Sequence, residues 1–250
     1  MKIITIGNIK GGVGKTTTVL NVASELARQG YKTLIIDGDS QSDTTNILDI
    51  GEFDTGLYEV YKDKHTGFDD AIYEVKENLY IVPNNIRSNK LEMELATRMN
   101  RESILKAKLE TMPDLFDFCI VDTSPFLGLT TQNCLAIADY YICVLDNSSS
   151  ALSGFSLMRE VVQELKDVGI NKDLKLLGVL RNRFDKRTNY SKSFNSVLEE
   201  AIPEHLFKVI IPDAVKYKEA AAMHQAIQGY SMPHAKVYTD LVDEIKERIE

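Results

Sequence analysis

Residues 10–17 read Lys10-Gly11-Gly12-Val13-Gly14-Lys15-Thr16-Thr17 and follow directly on the apolar run Ile3-Ile4-Thr5-Ile6. An apolar run, a glycine-rich turn and a helical repeat of apolar residues leave few options. The chain opens with a buried strand that turns sharply into a helix. Such a turn gathers backbone N–H groups into one concavity, which suits phosphate oxygens. Gly11, Gly12 and Gly14 allow an approach that a Cβ would block. Lys15 brings a mobile charge to the outer phosphates, and the Thr16 hydroxyl suits a Mg²⁺ shell. A chance glycine cluster has no reason to end in Gly-Lys-Thr at a strand–helix junction.

Beyond this point strands and helices alternate almost to the end. Lys2–Asn8, Thr33–Asp37, Leu79–Val82, Phe116–Val121, Tyr140–Leu145, Leu174–Leu180 and Phe207–Ile211 read as strands. Thr16–Gln29 carries Val19, Val22, Ala23 and Leu26 on one face and stops at Gly30, so it reads as a helix. Asn89–Glu110, Leu152–Val168, Tyr190–Ala201 and about Ala235–Ile249 are further helices. Near-continuous Val/Ile/Leu strands are what a parallel sheet covered on both faces requires. The expected fold is therefore α/β: three layers, a mostly parallel twisted sheet flanked by helices, with ligands outside the carboxyl ends of the strands.

At 250 residues, a single domain spanning 1–250 is the natural size. The balance of 44% hydrophobic and 26% charged residues is that of a globular protein. Cys119, Cys134 and Cys143 show no paired spacing and read as reduced, buried thiols. No apolar run has the length of a membrane span, and no signal peptide precedes the first strand. A cytosolic protein is expected.

The loop departs from the standard phosphate loop in two places. Ile9 stands where glycine is usual, and Lys10 opens the loop. A lysine there points away from its own nucleotide's γ-phosphate and is suited to a nucleotide held by a second copy. On this signature the chain resembles the deviant Walker A ATPases, the P-loop NTPases that include the Min-system ATPase, and within them the ParA/Soj partition proteins. The resemblance runs from the first strand to the last helix. It implies ATP and Mg²⁺ as cofactors, with residues 10–17 holding the nucleotide and Lys10, Lys15 and Asp39 in the reaction.

Three later segments match the family in order. Asp37-Gly38-Asp39-Ser40-Gln41 closes the second strand. Asp39 is placed to orient or deprotonate the attacking water, and Asp37 to support the metal shell. Phe118-Cys119-Ile120-Val121-Asp122 is a Walker B pattern in which Asp122 holds Mg²⁺ through water. Thr123-Ser124-Pro125-Phe126-Leu127-Gly128 resembles the family's second switch loop, which senses the γ-phosphate. Ile210-Ile211-Pro212-Asp213-Ala214-Val215-Lys216 looks like the late loop that packs a proline and nearby backbone on the nucleobase, putting Pro212 and Asp213 in the site. Ser40 replaces the family's usual proline, and Ala214 its frequent asparagine.

Net charge is −8, yet residues 172–218 hold ten basic against six acidic side chains, while residues 37–77 hold three against twelve. Phosphate contacts need local positive potential, not a positive whole. Arg181, Arg183, Lys186 and Arg187 form the densest cluster, and Lys216 and Lys218 follow. In the family, basic residues matching Arg187 and Lys216 bind DNA without reading its sequence.

The resemblance thus implies a DNA-segregation ATPase, weak on its own. Its ATP-bound homodimer binds duplex DNA and is released after hydrolysis stimulated by a ParB-like centromere-binding partner. The acidic 37–77 stretch suits that partner's basic N-terminal segment. A nucleoid-associated protein without membrane contact or an N-terminal helix-turn-helix is expected. The alternative is a membrane- or cargo-positioning ATPase of the Min type, but the last helix, from Tyr238 to Ile249, carries a mostly acidic polar face that anionic lipid repels. A reductase like the nitrogenase iron protein needs dimer-facing cysteine loops, and Cys119 lies inside a strand. A metabolic ligase on the same fold leaves the basic cluster without a purpose.

Overall fold

The computed structural model describes residues 1–185 and 187–249. Eight strands form one sheet: β1 (Lys2–Gly7), β2 (Thr33–Gly38), β3 (Tyr73–Lys76), β4 (Leu79–Val82), β5 (Phe118–Thr123), β6 (Tyr140–Leu145), β7 (Lys175–Asn182) and β8 (Leu206–Ile211). Their order is β3-β4-β2-β5-β1-β6-β7-β8. All neighbours run parallel except β3 and β4, which form an antiparallel pair at one border.

Side chains alternate across this sheet, and both faces are covered. Ile4 and Ile6 of β1 enter one apolar cluster together with the helices α1 (Lys15–Arg28), α9 (Val215–Ala222) and α10 (Met232–Ile249). Ile3 enters the other, packed by α3 (Leu57–Lys62), α4 (Leu91–Leu95), α5 (Ile104–Leu109), α6 (Leu129–Ala136) and α7 (Ala151–Asp167). A third cluster joins α7 to α8 (Asn189–Ala201) under β7 and β8. Each fully buried Leu or Ile contributes about 1.5–3 kcal/mol, so the central strands supply much of the stability. Cys119, Cys134 and Cys143 are free and buried, as expected.

The pairing of β7 with β8 slips between Val179 and Arg181, and side chains of α10 meet the backbone groups left over there. Glu244 accepts the N–H groups of Lys208 and Val209 at 2.9 and 3.1 Å. Arg248 donates to the carbonyls of Leu177 and Leu206 and pairs with Glu244 at 2.8 Å. Among the described residues no helix is long and apolar enough to cross a membrane. The apolar face of α10 is spent on the core, with Tyr238, Leu241, Val242 and Ile245 fully buried.

Most expected elements are present within one or two residues of their bounds. The expected helix Asn89–Glu110 is broken into a short 3₁₀ turn (Ile86–Lys90), α4 and α5. Side chains take backbone carbonyls of the segment between α4 and α5 that a continuous helix would have used. Arg101 donates to the Ala96 carbonyl, Asn133 of α6 donates to the Arg101 carbonyl, and Asn100 adopts φ +53°. The edge strand β3, the six-residue α2 (Asp43–Leu48) and α3, and α6 were not anticipated. They are too short, or too uniformly buried, to show a period.

Candidate functional site

Chain leaves β1 toward β2 on one side and leaves β6 toward β7 on the other, so a crevice opens at the carboxyl ends between them. There lies a cavity of about 450 Å³ whose floor is the Gly11–Thr17 loop. Loop and helix meet at Gly14, which has φ +93° and sits so close to the Asn182 side chain that a Cβ would collide with it. Only glycine satisfies both conditions. The first turn of α1 carries no acidic residue, so its N-terminal N–H groups and positive dipole end stand open to an anion.

The charged side chains around this loop are shielded. Burial lowers the Lys15 pKa, against the attraction of Asp122 and Asp39, and its ammonium lies 3.3 Å from the Lys10 carbonyl. Asp122 is fully buried at the end of β5. Burial pushes its pKa up to about 6 despite the Thr16 and Thr44 hydroxyls and Lys15 beside it. Asp39 is buried, lines the cavity, and accepts the Gln41 N–H at 3.0 Å.

Thr16 and Asp122 fit a Mg²⁺ ion: a hydroxyl and a buried carboxylate whose charge has only partial compensation meet at the phosphate end of the cavity. Held there, the ion would supply positive charge against the phosphates. The expected role of Asp37 needs correction. Its carboxylate is fully buried behind the cavity wall and is taken by the Thr45 N–H and hydroxyl at 2.9 and 2.6 Å and by the Asp39 N–H. Asp37 therefore anchors α2 and the Asp39 turn.

Burial, and Asp122 directly across the strand pair, push the Asp37 pKa to about 8. The folded protein thus binds a proton that the unfolded chain releases at ordinary carboxylate pH. The resulting stabilisation is complete in acid and is lost as pH rises through about 8. Thermal midpoints of the nucleotide-free protein are expected to fall across that window, and Asp37→Asn to flatten the fall. A midpoint that rises with pH in the wild type would contradict the burial argument.

Other expected residues divide sharply. Gly11, Gly12, Lys15, Thr16, Thr17, Pro212 and Asp213 line the cavity, whereas the Val13 side chain is wholly within the core and offers only backbone. Lys10 does not line it. Its ammonium is held by Asp146 at 2.6 Å and Ser148 at 2.7 Å, on the loop after β6.

The basic cluster is not one surface. Arg181 is a correction: it is buried in β7, where its guanidinium bonds Asn195 at 2.6 Å and the Phe207 carbonyl at 2.7 Å, because a strand interior alternates inward. Arg183 and Lys218 line the nucleotide cavity. Lys186 lies outside the described residues. Arg187 is 89% exposed and chelates Asp185, which it holds down at about 2. Lys216 is half exposed and pairs with Glu219 at 2.7 Å.

Sequence reasoning missed Asn182, which closes onto the phosphate loop by donating to the Val13 carbonyl at 2.6 Å. It also missed Asp146 and Ser148. Asn182 had a usable signal in its position at a strand's carboxyl end, where α/β ligand sites gather.

Comparison with known proteins places these features. A family model described as an AAA domain matches residues 1–176. The sporulation initiation inhibitor protein Soj of Bacillus subtilis (strain 168) is 34% identical over 248 residues, 98% of each chain. Among solved structures, an ATP complex of a variant of Cyanothece McdA superposes with TM-score 0.88 at 25% identity, covering 100% of this chain and 96% of that one. Cobyrinic acid a,c-diamide synthase from Mycobacterium smegmatis, with bound ADP and magnesium, gives TM-score 0.83 at 27% identity, covering 97% and 93%.

Proposed function

The chain belongs to the ParA/Soj family of deviant Walker A partition ATPases, with ATP and Mg²⁺ as its cofactors, and on that premise we propose that two ATP-loaded copies close face to face, bind duplex DNA without sequence preference, and part after hydrolysis. Residues 1–250 act as one ATPase unit. The observation that carries this reading is the placement of Lys10. It opens the phosphate loop, yet its ammonium is held outside the cavity by Asp146 and Ser148 of its own chain. Lys15 already serves the cavity from within, so a second loop lysine held apart from it is free to serve a neighbour.

In this reading Lys10 leaves Asp146 on closure and reaches the partner copy's triphosphate. Asp39 orients the attacking water, and Lys15 neutralises the phosphates in line with it. Thr16 and Asp122 hold the magnesium ion. Pro212 and the backbone near Asp213 receive the base. Turnover is slow until a ParB-like partner engages, with the acidic 37–77 stretch as the complement for a basic segment of that partner. The similarity to the diamide synthase is one of fold along the chain; the exposed cations favour DNA over a ligase substrate.

DNA contact falls to Arg187 and Lys216, joined by Lys218 at the cavity rim. Asp185 and Glu219 neutralise the first two in the free protein. Exposed pairs of this sort are weak and screened by solvent, so phosphates displace the carboxylates readily. Closure of two copies doubles the cations on one face, and affinity climbs because counterion release scales with the phosphates neutralised. DNA binding of this kind keeps the protein on the nucleoid.

A mobility assay with an arbitrary duplex tests this. With ATP, retention is expected at low salt and is lost as salt rises. With ADP or no nucleotide it is expected to be absent. Arg187→Glu and Lys216→Glu are expected to lower ATP-dependent retention by about tenfold or more each. Retention that ignores the nucleotide, or survives both substitutions, defeats the proposal.

A further inference from the structure

Arg183 belongs by sequence to the basic cluster, but its geometry sets it apart. Its guanidinium donates to the Gly12 carbonyl at 2.9 Å and lies 3.5 Å from the Asp213 carboxylate. Gly12 is on the phosphate loop and Asp213 on the loop assigned to the base, so one side chain spans the cavity mouth between the two walls. Its backbone is left-handed, at φ +59°, and its N–H donates to Asn182 Oδ1. A bulky residue adopts that conformation only where its surroundings impose it.

We infer that Arg183 is a nucleotide-positioning strap, and that through it the bound nucleotide sets the spacing of the two segments carrying Arg187 and Lys216. The second half rests on the DNA-binding reading above. In a trans peptide the C=O and N–H point to opposite sides. Arg183 holds the Gly12 carbonyl, and the Asn182 amide holds the Val13 carbonyl. Together they turn the N–H groups of Val13 and Gly14 to the far side of the loop, where a phosphate oxygen is bound. Asp213 anchors the other end, fixing the separation that a nucleotide must bridge.

The same tie joins the segments that hold the exposed cations. Phe184 N–H donates to the Ile211 carbonyl, and Asn182 is in register with Ile211, so the chain after β7 and the chain after β8 leave the sheet side by side at residues 183–185 and 212–213. Asp213 is three residues from Lys216, and Arg183 four from Arg187. A nucleotide that alters the Arg183–Asp213 contact alters the distance between the two cations, which is the differential contact coupling requires. Both side chains are 41% and 56% exposed, too open for the pair to matter much to folding. Its removal therefore reports on binding.

Equilibrium binding of a fluorescent ATP analogue with Mg²⁺ tests the strap in the full chain as Arg183→Ala, Asp213→Ala and the double variant. Each single substitution is expected to weaken binding about tenfold, and the double variant to be no weaker than the worse single one. Arg183→Lys is expected not to restore affinity, since a compact ammonium lacks the planar spread of donors with which the guanidinium faces Gly12 on one side and Asp213 on the other. Thermal midpoints are expected to stay at the wild-type value. Unchanged affinity in Arg183→Ala, or losses that simply add, overturn the strap.

Duplex retention at saturating ATP tests the coupling. Asp213→Ala removes a negative charge, so a plain electrostatic role predicts tighter DNA binding; the strap predicts loss of the difference between ATP and ADP. Wild-type discrimination persisting in Asp213→Ala overturns the coupling. A wild type that never retains DNA overturns the DNA reading and with it the coupling, while the binding cycle still judges the strap.

Discussion

Lys10→Ala is expected to bind ATP with nearly wild-type affinity and to hydrolyse it about 10³-fold more slowly, with the two-copy form lost. The affinity should survive because the cavity is built without this residue. Lys15, Thr16 and the loop backbone line it, and the Lys10 ammonium is bonded elsewhere, to Asp146 and Ser148. The rate should fall because a cation delivered to a γ-phosphate from a second copy is worth about 10³–10⁵ when fully engaged. The Lys10–Asp146 pair has side chains only 33% and 19% exposed, so it is better shielded than the surface pairs of α9 and α10. Closure must exchange this contact for a stronger one, and a triphosphate offers more charge than a carboxylate. Phosphate release and sedimentation velocity on the same preparation check the expectation. Full turnover in the variant would remove the lysine from the reaction.

Asp39→Ala is expected to give the opposite assembly phenotype with a loss of rate that is as severe. Hydrolysis should fall about 10²–10⁴-fold, the usual contribution of a positioned acid or base. ATP should stay bound, the two copies closed, and DNA retained through washes that release the wild type. The geometry supports this because Asp39 is buried and lines the cavity. Its side chain also accepts the Gln41 N–H, and its carbonyl accepts the Asn84 amide at 3.1 Å. Asp39→Asn keeps those contacts in outline and separates chemistry from loop shape. Wild-type turnover in the asparagine variant would reduce Asp39 to a structural residue. Taken together, Lys10→Ala and Asp39→Ala should bracket the cycle, one unable to close and the other unable to reopen.

The parts legible in the sequence are those that long apolar runs and glycine spacing encode. The seven strands read from Val/Ile/Leu runs are present, as are α1, α7, α8 and α10, whose apolar stripes face the core. The phosphate loop is legible because three glycines, a lysine and two threonines serve one concavity over seven consecutive residues. What escaped are contacts made by single side chains at a distance in the chain. Nothing local marks Asp146 as the partner of Lys10, 136 residues away, or Asn182 as the partner of Val13, 169 away. Charge counting misled for a related reason. Arg181, Arg183 and Arg187 sit two or four residues apart on a strand and the turn after it, where alternation and a left-handed residue send one inward, one across the cavity and one to solvent. A tally of cations cannot resolve directions that the backbone decides.

Glu244 and Arg248 have a consequence for how the molecule can come apart. The ladder between β7 and β8 slips near Val179, and the backbone groups left over there are met by the terminal helix, two amides by a carboxylate and two carbonyls by a guanidinium. Buried backbone groups that lose such partners are costly. Peeling the last turns of α10 away would therefore loosen the outermost strand with it, so the two are expected to detach as one piece rather than fray separately.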